Sequence, residues 1–278
     1  LEGDSLREEP EPPSTEGIDY ARAASWAGSS IGDVLSDEKG RQLLRVFLHD
    51  ALAEENLSFV ESIEKLHRMN DPAEKKKYIE QFLSECSPYI NISSAQIKSA
   101  ATSDDPDPAA FNLAVKEVKR LLENDQFPRF KRSEVYINYL EKLLPRSHAE
   151  RWATNFEALL GNQIGRHYFR LFLRGIHAEE NLRFWEAVVE FKQMKNKTPA
   201  MINLGRTIVQ QYLAEGTHNE VFLPFGLRQS IEKKFSDNEV DKTLFDEAVK
   251  HIEQVLKNDP YIRFLQSKEY LGLLEKLK

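Results

Sequence analysis

The sequence predicts an all-α protein made of two consecutive helical bundles. Three observations carry that prediction. The chain repeats itself: Ala53-Glu54-Glu55-Asn56-Leu57-Ser58-Phe59 returns as Ala178-Glu179-Glu180-Asn181-Leu182-Arg183-Phe184, and Gly40-Arg41 with Phe47-Leu48 returns as Gly165-Arg166 with Phe172-Leu173, all displaced by 125 positions. Apolar residues recur at spacings of three and four, the period of a helix with one buried face, and strand-like alternation is absent. The length, 278 residues, suits two domains of about 100 to 200 residues, and a repeat this long is a whole domain rather than a solenoid unit.

The elements follow in order. Residues 1–22 are acidic and proline-bearing, with Glu8-Glu9-Pro10-Glu11-Pro12-Pro13 at their centre. They offer too little apolar surface to offset ordering, so a disordered tail is expected. The start at Leu1 rather than Met reads as a fragment of something longer. Trp26 opens the first copy. Leu44, Phe47, Leu48 and Ala51 then define the buried face of one helix, matched by Phe169, Phe172, Leu173 and Ile176. A longer helix carries Leu57, Val60, Ile63 and Leu66, matched by Leu182, Trp185, Val188 and Phe191.

A late helix begins at Asp107-Pro108, where Asp caps and Pro suits the first turn, and its counterpart begins near Asp241. The expected buried faces are Phe111, Ala114, Val118, Leu121 and Leu122 in the first copy and Phe245, Ala248, Ile252, Val255 and Leu256 in the second. Asn124-Asp125 with Arg129-Phe130 recurs as Asn258-Asp259 with Arg263-Phe264, and Tyr136 as Tyr270. Here the displacement is 134, so the second copy holds nine residues more. Domains over 23–144 and 147–278 are expected, joined by a short linker ahead of Trp152.

Composition and motifs exclude several functions. The net charge of −7 argues against a nucleic-acid surface. The single cysteine, Cys86, rules out an internal disulfide framework and gives no metal-ligand spacing; a structural role is favoured over a nucleophilic one. No run of 18 apolar residues occurs, so direct membrane insertion is not expected. Gly161-Asn162-Gln163-Ile164-Gly165 lacks the lysine of a phosphate loop and any dinucleotide fingerprint. The seven histidines form no zinc motif. Lys75-Lys76-Lys77 reads as a solvated helix face rather than a membrane patch. No metal, cofactor or enzymatic constellation is expected.

The polar residues that repeat admit a structural explanation: Glu55 and Asn56 sit where a helix begins, and Arg129 lies one turn from Asp125, where it can pair with it. Together with Ile90-Asn91-Ile92-Ser93-Ser94, however, they form a recognisable set. The combination Trp, Gly-Arg, Phe-Leu, Glu-Glu-Asn-Leu-x-Phe, Ile-Asn-Ile-x-Ser and Asn-Asp-x-x-x-Arg-Phe-x-x-Ser-x-x-Tyr resembles the RGS domain, the regulator of G-protein signalling, and is met twice, the second time without the middle motif. The resemblance implies a nine-helix bundle that binds the GTP-bound α subunit of a heterotrimeric G protein and speeds its GTP hydrolysis without being an enzyme itself. It also implies a cytoplasmic protein recruited to the inner face of the plasma membrane. Residue by residue, it marks Glu55, Asn56, Asn91, Ser94, Leu121, Asp125 and Arg129 of the first copy as α-subunit contacts. Val60 stands where the family usually has tryptophan.

The second copy keeps Glu180, Asn181, Asp259 and Arg263 and restores the aromatic with Trp185. In Glu220-Val221-Phe222-Leu223-Pro224-Phe225, however, Phe222 takes the place of the loop asparagine and Phe225 that of the small polar residue. Phenylalanine has no amide to position a switch residue, so weak or absent activation is expected. The two rings either fold inward as core or anchor another protein. A second reading of the whole chain, as a non-catalytic RGS-like scaffold that binds signalling proteins, stays open.

Overall fold

A computed structural model of the chain describes residues 8–86 and 95–278. The chain divides into two compact units, Leu1–Leu143 and Leu144–Lys278. Nine α-helices are found in each among the described residues, with no strand.

In the first unit these are α1 (Tyr20–Ser25), α2 (Gly32–Leu35), α3 (Glu38–Asp50), α4 (Glu54–Arg68), α5 (Pro72–Cys86), α6 (Ala95–Thr102), α7 (Asn112–Leu121), α8 (Phe127–Arg132) and α9 (Glu134–Leu143). A 3₁₀ turn, Pro108–Phe111, precedes α7, and a π-helical turn, Leu122–Gln126, joins α7 to α8. The second unit holds α10 (Arg146–Arg151), α11 (Phe156–Leu160), α12 (Gln163–Gly175), α13 (Glu180–Gln193), α14 (Pro199–Ile208), α15 (Leu227–Ser236), α16 (Asp246–Asn258), α17 (Pro260–Phe264) and α18 (Lys268–Lys276). The nine additional residues are not one insertion. Helix starts in the second unit trail their counterparts by 127 at α14 against α5, by 132 at α15 against α6 and by 134 at α16 against α7, so three connections share them.

Local chemistry explains the helix ends. The Asp19, Asp37 and Asp107 side chains accept backbone N–H groups of α1, α3 and the 3₁₀ turn, satisfying donors that helix starts leave open. Asn155, Asn162 and Ser267 do the same for α11, α12 and α18. The repeated Gly-Arg pair is structural. A Cβ on Gly40 would lie 3.0 Å from the Trp26 ring and from the Val34 carbonyl oxygen, and one on Gly165 would lie 2.6 Å from the Leu159 carbonyl oxygen. The arginine that follows donates to the last carbonyl of the preceding helix, Arg41 to Leu35 at 2.9 Å and Arg166 to Leu160 at 2.6 Å.

The repeated tyrosine closes each bundle. Tyr136 Oη donates to the Ala23 carbonyl and Tyr270 Oη to that of Ala149, each at 2.6 Å, tying the last helix of each unit to its first. Phe130 stacks on Tyr136 with ring centroids 4.8 Å apart, while Phe264 sits among Phe169, Phe172 and Tyr270. Each such buried ring stabilises its unit by about 1.5–3 kcal/mol.

Several expected faces shift in detail. Leu57, Val60, Ile63 and Leu66 are all buried, as are Leu182, Val188 and Phe191. Phe47 and Ala51 are only half-buried, because α3 turns Leu43 and Val46 inward beside Leu44 and Leu48. Leu121 and Val255 lie on the outer side of their helices. Trp185 stays partly exposed, its indole N–H donating to Glu253 at 2.8 Å.

The acidic segment expected to be a disordered tail is, over its described part, held to the bundle. The carbonyls of Ser14 and Glu16 accept from Lys39 Nζ, and those of Glu11 and Ser14 from Gln42 and the Tyr139 hydroxyl. Ile18 is buried and α1 begins at Tyr20. Hydrogen bonds to main-chain carbonyls order this stretch where apolar burial would not, and such bonds do not register in composition.

Candidate functional site

The described candidate site residues of the first unit lie at a chain reversal and at a helical bulge. The first precedes α4. Leu52 has φ +56 and its counterpart His177 has φ +55, so the left-handed turn occurs at the same place in both units. Ala53 N–H then bonds back to Leu48 O at 2.8 Å, and Ala178 N–H to Leu173 O at 2.9 Å. This reversal delivers Glu54-Glu55-Asn56 and Glu179-Glu180-Asn181 to the start of the next helix, where acidic groups suit the exposed N–H donors.

The paired glutamates part company there. Glu54 turns back onto α3, its carboxylate 2.9 Å from His49 Nδ1 and 3.5 Å from Arg45. Arg45 also pairs with Glu61. Glu179 lies 3.0 Å from both Arg174 and Arg183; burial acts to raise its pKa, but these arginines overcome it and hold the carboxyl below its usual range. Glu55 and Glu180 remain partly exposed. Asn56 is buried, and its Nδ2 donates to Gln126 Oε1 at 3.3 Å. Asn181 is half-buried.

The helical bulge carries Asp125 and Arg129. Pro128 has no N–H to extend an ordinary helical ladder, and the chain passes this point through the π turn, in which Phe127 N–H reaches back to Leu122 O, a geometry that favours functional positions. Asp125 is left 61% exposed, 3.1 Å from Arg129 Nη2, with Leu121 one turn earlier on the surface. In the second unit the proline moves to position 260, equivalent to 126. The residue before it, Asp259, leaves the helical region at φ −135, ψ −69, as crowding by a following proline favours. The helix is therefore broken between α16 and α17, yet Arg263 still pairs with Asp259, at 3.0 and 3.1 Å.

Asn91 and Ser94 lie outside the described residues. Their second-unit counterparts do not. Phe222 is 77% exposed and Phe225 fully so, which removes the possibility that both fold inward as core. Their loop follows a π turn, Val209–Leu213, is pinned by Val221 N–H to Tyr212 O at 2.8 Å, and ends at Gly226 with φ +84. A cavity of about 200 Å³ beside it is lined by Leu213, Val221, Leu223 and Arg228 among others. Arg183 reaches Asn219 at 3.4 Å, so the loop adjoins the start of α13. Among the described residues no group of three or more His, Cys, Asp or Glu side chains could hold a metal ion, and no helix is long and apolar enough to cross a membrane.

Two nine-helix units, each with an exposed Asp-Arg pair late in the unit, meet the pattern of one family. The Regulator of G protein signaling domain matches residues 30–139 and again 155–273. The chain belongs to the RGS domain family. It is 60% identical over 275 residues to the Regulator of G-protein signaling rgs-3 of Caenorhabditis elegans, covering 98% of this chain and 76% of that protein. It is 35% identical over 133 residues to human Regulator of G-protein signaling 8, covering 48% of this chain and 72% of the relative. Rat Regulator of G-protein signaling 1 is 33% identical over 136 residues, 49% of this chain and 63% of its own. Within the RGS fold, Gln126, buried against Asn56, is the residue at this bulge that the sequence pattern does not single out.

Proposed function

We propose that the first RGS unit binds the GTP-bound α subunit of a heterotrimeric G protein and accelerates its GTP hydrolysis, and that the second unit is weak or inactive as an activator. Membership of the family supports the partner class, and the exposed Asp125–Arg129 pair at the π turn is the observation that carries the site. The α subunit holds its own Mg²⁺, arginine and water-orienting glutamine, so its partner need add no reactive group. It must bind the mobile switch segments more tightly in the transition state than in the ground state. A hundredfold acceleration takes about 2.7 kcal/mol of that preference, which two charge-assisted hydrogen bonds at about 1.5 kcal/mol each would supply.

In this reading Glu55, Leu121, Asp125 and Arg129 form the contact surface with Asn91 and Ser94, and the protein acts in the cytoplasm at the inner face of the plasma membrane. The second unit offers Glu180, Asp259 and Arg263, but two exposed rings replace the loop amide and small polar residue. Single-turnover GTP hydrolysis with a panel of α subunits tests this on the whole chain. Asp125→Ala should abolish most of the acceleration and Asp259→Ala should leave it nearly intact. Equal effects, or no acceleration by the unaltered chain, would overturn the proposal and favour a non-catalytic scaffold.

A further inference from the structure

Among the described residues, only two polar side chains are buried as deeply as the apolar core: Asn56, 8% exposed, and Gln126, 6% exposed. They bond to each other, Asn56 Nδ2 donating to Gln126 Oε1 at 3.3 Å. A buried amide is costly unless paired, so each holds the other in place. Asn56 follows Glu55 in the first turn of α4, and Gln126 follows Asp125 at the end of the π turn. The bond therefore joins the two segments that bear the exposed acidic contacts. In the second unit Pro260 occupies the equivalent position and has no amide to offer Asn181; the helix there is broken at Asp259.

We infer that Gln126 is a positioning residue that acts through Asn56: the buried amide pair sets the spacing between Glu55 and Asp125 that the α subunit meets, and Pro260 removes this clasp from the second unit. The inference rests on the α-subunit reading above. It deepens that reading, because it gives the second unit's weakness a cause separate from Phe222 and Phe225.

The test is a double-mutant cycle in the full chain, with Gln126→Met and Asn56→Leu keeping side-chain bulk without the amides. Single-turnover acceleration is measured with an α subunit that the unaltered chain activates, and affinity with the α subunit bound to GDP, Mg²⁺ and aluminium fluoride. Each single change should lower acceleration about tenfold, since small misplacement of contacts is costly in rate. The double change should be no worse than either alone, the mark of residues acting as one unit. Full activity of Gln126→Met, or losses that multiply in the double variant, would overturn the inference while leaving the α-subunit reading standing. Should Gln126→Met fail to fold, a chain silenced by Asp125→Ala and carrying Phe222→Asn and Phe225→Ser gives the second arm. Adding Pro260→Gln to it should raise acceleration by about threefold or more if Asn181 regains its partner; no gain would overturn the inference. If the unaltered chain activates no α subunit, both readings fall together.

Discussion

The Arg129 guanidinium stands 3.1 Å from the Asp125 carboxylate, with both side chains largely in water. Exposed pairs of this kind contribute about 0–1 kcal/mol. Asp125→Ala should therefore change unfolding free energy by less than about 1 kcal/mol, whereas Leu122→Ala, three residues earlier and fully buried, should cost about 2–5 kcal/mol. Urea melts of the two variants beside single-turnover hydrolysis separate the roles. Loss of stability in Asp125→Ala as large as in Leu122→Ala would make the aspartate structural.

Asp37 ties α3 to α1 by accepting from Arg22 at 2.7 and 2.8 Å and from the Trp26 indole at 2.9 Å. The Arg22 bond chiefly holds this carboxyl well below the usual carboxylate range; burial works the other way, and Trp26, Gly40 and Lys39 add to the lowering. Because the folded pKa is depressed, the contribution is complete above the unfolded value of about 3.9 and is lost as pH falls below it. The stability difference between the unaltered chain and Asp37→Asn should be constant near neutrality and shrink below about pH 4. Asn162 occupies the equivalent place in the second unit, so no parallel acid-linked loss arises there. Unfolding followed across pH checks both statements.

Glycine to alanine inside a helix ordinarily gains about 1 kcal/mol. At Gly40 and Gly165 the sign should reverse, since the new methyl group meets an aromatic ring or a backbone carbonyl at 3.0 Å or less. A cost of about 1–3 kcal/mol is expected, with Gly165→Ala the more damaging because its nearest neighbour is main chain. Calorimetry of the two variants decides the order.

Phe222→Asn with Phe225→Ser should leave stability within about 0.5 kcal/mol of the parent, as exposed sites usually do. If either ring is instead part of a packed surface, the melting temperature will fall. With Asp125→Ala added to remove most of the first unit's acceleration, any gain over the Asp125→Ala chain is expected to be the second unit's own.

Much of this was legible from residue order. The duplication, the long helices and the Gly-Arg and tyrosine positions all follow from spacing, because each reflects a local period or a repeated close approach. What escaped was decided by main-chain geometry or distant partners. The burial of Asn56 depends on Gln126, seventy positions away, and no pattern around either residue announces the bond. The π turn and the break at Asp259 arise from prolines only two positions apart in register, too small a shift to alter the motif that contains them. Leu121 has helical spacing consistent with burial, yet it lies on the outer side of α7 while Leu122 beside it turns inward.

The left-handed turns at Leu52 and His177 have a practical consequence. Leu52 points into solvent and sits two residues from Glu54, yet the reversal it makes depends on its backbone alone. A single cysteine there, with Cys86 replaced, would place a fluorescent reporter at the rim of the proposed contact surface. Arrival of an α subunit could then be followed as a change in probe emission, in real time and independently of whether any nucleotide is hydrolysed.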